Sequence, residues 1–310
     1  MKKQVLVMAL AFGVSSAFAQ DLTSKKGEPI LPEAEDWAIS MNADPIFSFI
    51  GNAFNGTAGN GAPGTNWLSG DHTIVGKKFI DEKHAYRVLV RIGFNNFTTK
   101  NDVVDDSQTS TPSFPEQAAE VQDKFSSRNT NIGIGVGKEW RRGKTRLQGY
   151  YGADAMVWIS MDGSKATYGN TMSDANGTGT TTTPTTTDFY DANFNGSTSD
   201  EFGTSSRITR TKSGMTFGIG VRGFIGAEYF ILPKIALGAE YGWGIGYQMT
   251  GRGKVTTEEQ GGTPNQVAEV ERESAGSSRF GLDTDLNQGT IFGFHGSNTG
   301  TASLRLTLHF

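Results

Sequence analysis

Between residues 235 and 250 the chain alternates with period two. Ile235, Leu237, Ala239, Tyr241, Trp243, Ile245, Tyr247 and Met249 share one face of a strand; Ala236, Gly238, Glu240, Gly242, Gly244, Gly246, Gln248 and Thr250 share the other. In a water-soluble sandwich the bulky face turns inward, and the outer face carries Lys, Glu and Thr rather than a row of glycines. A closed sheet in lipid reverses the arrangement. Its bulky face meets acyl chains, and its small and polar face fills a narrow interior where glycine leaves room for longer neighbours.

Seven further segments repeat the pattern. Met215, Phe217, Ile219, Val221, Ile225 and Tyr229 alternate with Thr216, Gly218, Gly220, Arg222, Phe224 and Glu228. Leu147, Tyr151, Ala153, Ala155, Val157 and Ile159 alternate with Arg146, Gln148, Tyr150 and Asp154. Ile132, Ile134, Val136 and Trp140 alternate with glycines and Glu139, and Tyr86, Val88, Val90, Ile92 and Phe94 with Arg87, Arg91, Gly93 and Asn95. Trp37, Ile39, Met41 and Ala43 alternate with Ala38, Ser40, Asn42 and Asp44; Leu304, Leu306, Leu308 and Phe310 alternate with Ser303, Arg305, Thr307 and His309. The segment 73–80 is the least regular, because Val75 and Phe79 share a face with Lys77.

Short connections (81–84, 142–145, 232–234) alternate with long ones (about 45–72, 99–128, 161–206 and 259–296). The expected fold is therefore an all-β, eight-stranded antiparallel up-and-down transmembrane β-barrel with long extracellular loops and periplasmic termini. In this topology Trp37, Tyr86, Trp140, Tyr229 and Phe310 all lie beside the short turns and face lipid at one height, as an interfacial girdle of aromatics. Lys138 is the misfit on that face, close enough to the turn to snorkel.

The last strand carries Leu304-x-Leu306-x-Leu308-x-Phe310. This pattern resembles the sorting signal of bacterial outer-membrane barrels that their assembly machinery reads. Residues 224–247 (FIGAEYFILPKIALGAEYGWGIGY), with 36–55, resemble the outer-membrane β-barrel family abundant in Bacteroidetes, which is similar in architecture to the OmpA transmembrane domain and to OmpX. The resemblance implies the outer membrane of a Gram-negative bacterium, surrounding outer-membrane lipids, and the barrel assembly machinery as a transient partner.

The N-terminus agrees with export. Lys2 and Lys3 precede an apolar run over 5–14, and Ala17-Phe18-Ala19 fits small-x-small cleavage, so the expected organisation is a signal peptide over 1–19, a periplasmic segment over 20–35 and the barrel over 36–310. No other stretch approaches the length of a membrane helix. The absence of cysteine excludes thiolate zinc sites, thiol catalysis and disulfide scaffolds. A net charge of −4, and −6 once Lys2 and Lys3 leave, without a basic block, argues against nucleic acid as a partner.

Eight strands enclose an interior about wide enough for side chains to fill. The charged residues expected to face it are Arg87, Arg91, Glu139, Arg146, Asp154, Arg222, Glu228 and Glu240. Their mixed signs favour structural ion pairs over a selectivity constriction. Residues 45–55 (PIFSFIGNAFN) read preferentially as a continuation of the first strand, with a short helix at the barrel mouth as the alternative. Residues 207–213 and 251–257 are hydrophilic on both faces and should project beyond the bilayer, and the Thr, Gly, Asn and Asp-rich run within 170–206 cannot bury a core.

Three motifs are weighed and set aside. Gly218-x-Gly220-x-x-Gly223 matches a dinucleotide fingerprint in letters, yet falls inside a strand rather than a strand-to-helix turn. Asp283-x-Asp285-x-Asn287 begins like a calcium loop but has Gln288 and Phe294 where Gly and Glu are needed, and the four histidines form no cluster. His295-x-Ser297 would need an orienting carboxylate, such as Glu269, Glu271 or Asp283, to resemble an outer-membrane lipid hydrolase. No catalytic residue, metal or cofactor is therefore expected. The leading function is a non-enzymatic barrel acting in surface or envelope interaction, through an extracellular or membrane-protein partner engaged by the loops, or within larger outer-membrane complexes. A narrow or gated channel for small or hydrophobic solutes is the first alternative, and an outer-leaflet lipid hydrolase the second.

Overall fold

Alternation of large and small side chains drives the chain into antiparallel strands, and the pairing of the first with the last closes the sheet. The computed structural model describes residues 22–56, 73–105, 107, 112–172, 205–261, 266–283 and 302–310. The expected signal peptide, the threonine-rich run at 180–187, and His72, His295 and Ser297 lie outside them. The elements are β1 (Trp37–Asn42), α1 (Asp44–Phe54), β2 (Ile74–Asp81), β3 (His84–Val104), β4 (Glu120–Arg142), β5 (Leu147–Thr167), β6 (Ser205–Lys212), β7 (Thr216–Leu232), β8 (Ile235–Thr250), β9 (Gly253–Gly261), β10 (Gln266–Ser274), β11 (Ser277–Asp283) and β12 (Ala302–His309).

Eight strands form a ring, β1-β2-β3-β4-β5-β7-β8-β12, each antiparallel to both neighbours. Closure is made at β1 and β12, where Trp37 N–H donates to Phe310 O at 2.8 Å and Phe310 N–H to Trp37 O at 2.9 Å. Strand β11 lies end to end with β12 along β8: Asp283 pairs with Gly244, and Ala302 with Tyr241.

The ring is polar inside and apolar outside. Val136 is 59% exposed, Ile225 55% and Val221 52%, while Arg87 is 1% and Glu139 0% exposed. The inner glycines make this possible, because large side chains from the adjacent strand lie across them. A Cβ on Gly218 would stand 2.0 Å from the Trp158 ring, and one on Gly226 2.3 Å from the Tyr150 ring. These glycines, Gly218 included, belong to strand interiors and not to a phosphate-binding turn.

The structure settles which face of 73–80 turns inward and corrects one expectation, at 45–55. In β2, Val75, Lys77 and Phe79 all point inward, and Ile74 and Ile80 outward. An inward Lys77 is tolerated because Glu139 meets it. Residues 45–55 do not continue β1. Pro45 has no N–H for a ladder but suits the first turn of a helix, and α1 begins there. Ile50 and Phe54 of α1 are exposed.

The strands also run further than the apolar alternation indicated. β3, β4 and β5 continue to Val104, Glu120 and Thr167, and polar β6, β9 and β10 extend their sheet by pairing in the order β5-β6-β9-β10. The long connection expected over 259–296 therefore contains β10 and β11. With no continuous apolar face to bury, β6, β9 and β10 carry no period-two signature and are held by ladders and ion pairs, whereas Phe280 and Leu282 of β11 alternate on the exposed face. In this extension Phe125 and Ala166 pack with Tyr168 and Ile208, and Arg207 Nε donates to Glu258 Oε2 at 2.7 Å.

Residues 22–36 cover the short-turn end of the ring. Ile30, 1% exposed, packs on Phe230 and Ala236, with Leu22 and Leu31 against it. Burying such a side chain contributes about 2 kcal/mol.

Candidate functional site

The inward positions of seven ring strands converge on one buried cluster of charge. Glu139 (β4) is its hub: its carboxylate lies 2.9 Å from Lys77 Nζ (β2), 3.3 Å from Arg87 Nη1 (β3) and 3.0 Å from Arg141 Nη1 (β4). Glu240 (β8) accepts from Arg87 at 3.0 Å and from Arg222 (β7) at 2.8 Å. Asp154 (β5) lies 3.3 Å from Arg222 and 3.4 Å from Arg87 Nε, the latter an ionic contact without hydrogen-bond geometry. Glu228 (β7) accepts from Arg141 and lies 3.9 Å from Lys77. Arg305 (β12) donates to Ser40 Oγ at 3.0 Å and to Thr73 O at 3.4 Å.

Five cations (Lys77, Arg87, Arg141, Arg222 and Arg305) thus share the interior with four carboxylates (Glu139, Asp154, Glu228 and Glu240), all nearly inaccessible to solvent. Taking such charges from water is costly unless they meet opposite charge and hydrogen-bond partners; the ion pairs supply these for the four carboxylates and for Lys77, Arg87, Arg141 and Arg222, and Ser40 and Thr73 accept from Arg305. Aromatic faces complete the packing, with the Arg87 guanidinium 3.8 Å from the Phe224 ring centre and Lys77 Nζ 4.7 Å from that of Tyr150. On one side of the cluster lies an apolar layer of Val75, Leu89, Met156 and Trp158, and toward the short turns Phe79 and Phe230 flank His309. The His309 Nε2 is 3.8 Å from Glu228.

Of the charged residues expected inside, Arg87, Glu139, Asp154, Arg222, Glu228 and Glu240 meet in this cluster. Arg91 is buried further along β3. Arg146 is a correction: it precedes β5 at the rim, half-buried, with Nη1 3.4 Å from the carbonyls of Phe230 and Ile231. The reach of its guanidinium to carbonyls at the end of β7 keeps it at the turn. Lys77, Arg141, Arg305 and His309 are members that the inward set lacked. Arg141 lies one residue past the alternation that ends at Trp140, and Arg305 shares the small and polar face of the last strand with Thr307 and His309, so parity was the only signal for either.

The aromatics near the short turns stand on the outer wall: Trp37, Tyr86, Tyr229 and Phe310 are exposed and Trp140 is half-buried against Tyr151, ring centres 5.8 Å apart. Lys78 and Lys138 lie over the rings of Trp37 and Trp140, at 5.0 and 5.4 Å. Leu304, Leu308 and Phe310 of the terminal signature face outward, and Leu306 is half-buried.

At the β2-β3 turn, His84 Nδ1 stands 2.8 Å from Asp81 Oδ2, and the Lys83 N–H donates to Oδ1 at 2.7 Å; these bonds hold the Asp81 carboxyl below its ordinary range. On the extension, Arg252 and Lys254 do the same for Glu273. Of the carboxylates considered for His295, Glu271 is paired with Lys254 at 2.5 Å and Glu269 lies on β10, while Asp283 ends β11. No group of three His, Asp or Glu suited to a metal occurs among the described residues.

These features define an all-β chain closed into an eight-strand ring, with a packed ionic interior and an apolar exterior. Comparison with protein families, with curated proteins and with solved structures found no match.

Proposed function

We propose that the chain is an integral outer-membrane protein, an eight-stranded antiparallel up-and-down transmembrane β-barrel of the Bacteroidetes outer-membrane type. Its role is non-enzymatic: surface or envelope interaction through the strands that project beyond the ring, or membership of a larger outer-membrane complex. The observation that carries this reading is the inversion of polarity. Arg87, Glu139, Glu228 and Glu240 are no more than 2% exposed, whereas Val136, Val221 and Ile225 are more than half exposed. An apolar band encircling a monomer in water would be an aggregation surface; in a bilayer it is the solvated face.

The height of the band supports the same reading. On β4 the outward residues run from Ile132 to Trp140, a span that at about 3.3 Å per residue and about 40° of tilt stands about 20 Å high. Beyond it, the outer strands become polar, as water requires. The packed ionic interior favours a closed lumen over the channel alternative. Discrete, repeatable conductance steps in planar bilayers would reverse that preference. Deacylating activity lost in His295→Ala and Ser297→Ala would be needed to establish the hydrolase alternative.

The direct test is gel mobility of boiled and unboiled protein together with flotation on lipid vesicles. The reading expects a heat-dependent mobility shift and co-flotation. Unshifted mobility and recovery in the soluble fraction would overturn it in favour of an exported soluble β protein.

A further inference from the structure

The outer face changes character one ladder step beyond the apolar band. Phe94 and Met161, which flank Thr130 across β3, β4 and β5, close that band on the side away from the short turns. The next outward row lies two residues further along each strand, about 5 Å higher at about 40° of tilt. It places Arg128 of β4, Lys212 of β6 and Lys254 of β9 in register. The row above carries Lys165 and Arg210, and the one above that Lys100 and Lys124. The lowest of these cations stays close to the band, with the Arg128 guanidinium 5.2 Å from the Phe94 ring centre.

Six of them stand in like-charge pairs directly across the ladder: Lys212 with Lys254, Lys165 with Arg210, and Lys100 with Lys124. Such pairs are destabilising. Only Lys254 is relieved within the chain, by Glu271 at 2.5 Å and Glu273 at 3.7 Å. Arg128, Lys165, Arg210, Lys212, Lys100 and Lys124 are exposed and meet no carboxylate among the described residues. Asp102, further along the same face of β3, accepts from Gln122 at 3.1 Å. Positive charge that the chain leaves unrelieved, set against the edge of an apolar band, is complementary to anions borne by the lipid. Rows rising about 10 Å from first to last match a headgroup with phosphate at more than one height.

We infer that this face binds a lipid of the leaflet opposite the short turns whose headgroup carries more than one phosphate. Arg128 and Lys212 take the phosphate nearest the acyl chains, and Lys165 and Arg210 one further out. The site rests on the membrane reading proposed above, which sets the height of the rows.

The test is native mass spectrometry of the full chain in non-ionic detergent, with diphosphoryl lipid A, a disaccharide lipid with two phosphates, or phosphatidylglycerol added at equal concentration. Each cation near a charged headgroup is worth about fivefold in affinity, so Lys165→Gln with Arg210→Gln should lower retention of diphosphoryl lipid A about 25-fold. Phosphatidylglycerol, which reaches only the first row, should change less than about twofold in that variant. Arg128→Gln with Lys212→Gln should weaken both lipids, and Lys25→Gln at the short-turn end should weaken neither. In detergent without lipid, the Lys165→Gln, Arg210→Gln protein should melt no lower than wild type, because it loses a repulsive pair. Unchanged retention of diphosphoryl lipid A in that variant, a lower melting temperature without lipid, or a salt-sensitive dimer that excludes lipid would overturn the inference. Flotation separates the two proposals: protein that floats but binds both lipids alike in every variant loses only the headgroup site, and protein that never floats loses the membrane reading and the site with it.

Discussion

Replacing Glu139 by Gln removes one charge and little volume from the centre of the ring. The wild-type carboxylate is fully buried and holds Lys77, Arg87 and Arg141 at 2.9 to 3.3 Å. Arg87 keeps Glu240 and Asp154, and Arg141 keeps Glu228, but the nearest carboxylate left to Lys77 is Glu228 at 3.9 Å. Breaking a buried pair by removing one partner costs about 3–5 kcal/mol, against about 0–1 for a surface pair. Urea unfolding in vesicles, followed by gel mobility, should show it. With a slope of about 2 kcal/mol per molar, the midpoint falls by about 2 M. Adding Lys77→Met to Glu139→Gln returns the cluster to one excess cation, so the double variant should be more stable than the single one by about 1–2 kcal/mol, a coupling typical of contacting residues. A Glu139→Gln protein within about 0.5 kcal/mol of wild type, or a double variant in which the two losses simply add, would refute the account of a dry, mutually dependent interior.

Val221→Arg probes the exterior: Val221 is 52% exposed, and arginine on a lipid face costs about 2–4 kcal/mol near the midplane. The same substitution on a water-facing wall would leave stability within about 0.5 kcal/mol. Gly218→Ala should lose about 1–3 kcal/mol by overpacking against Trp158, and Trp158→Leu in the same chain should recover part of it; equal melting of Gly218→Ala and wild type would contradict the close approach. At the β2-β3 turn, Asp81 is held below its ordinary value of 3.8, so the turn's bonds to it are complete above that value and are lost as pH falls through the lowered one. His84→Gln should move the Asp81 carboxyl resonance to titrate at higher pH in NMR, and an unmoved titration would remove His84 as a cause.

Strand identity was legible where one face is greasy and the other small, as in 86–94, 132–140 and 235–250. There, a local period of two reports directly on a wall with different surroundings on its two sides. It was not legible in β6, β9 and β10, where both faces carry polar side chains. It was weakest at 73–80, where Val75 and Phe79 share with Lys77 a face that proves to be the inner one. Residues 45–55 were ambiguous for a different reason: six apolar residues in eleven suit either period, and the missing N–H of Pro45 favours the helix.

From sequence alone follow the parity of each wall strand, the alternation of short and long connections, and the sign of the charges that must face inward, because each depends only on residues near one another in the chain. Which charges actually meet depended on the tertiary structure. Arg87 reaches Glu240 across 153 residues, and Lys77 reaches Glu139 across 62. These partners are set by how far each strand slides past the next before the sheet closes, and that stagger is a property of the whole ring, to which every strand contributes at once.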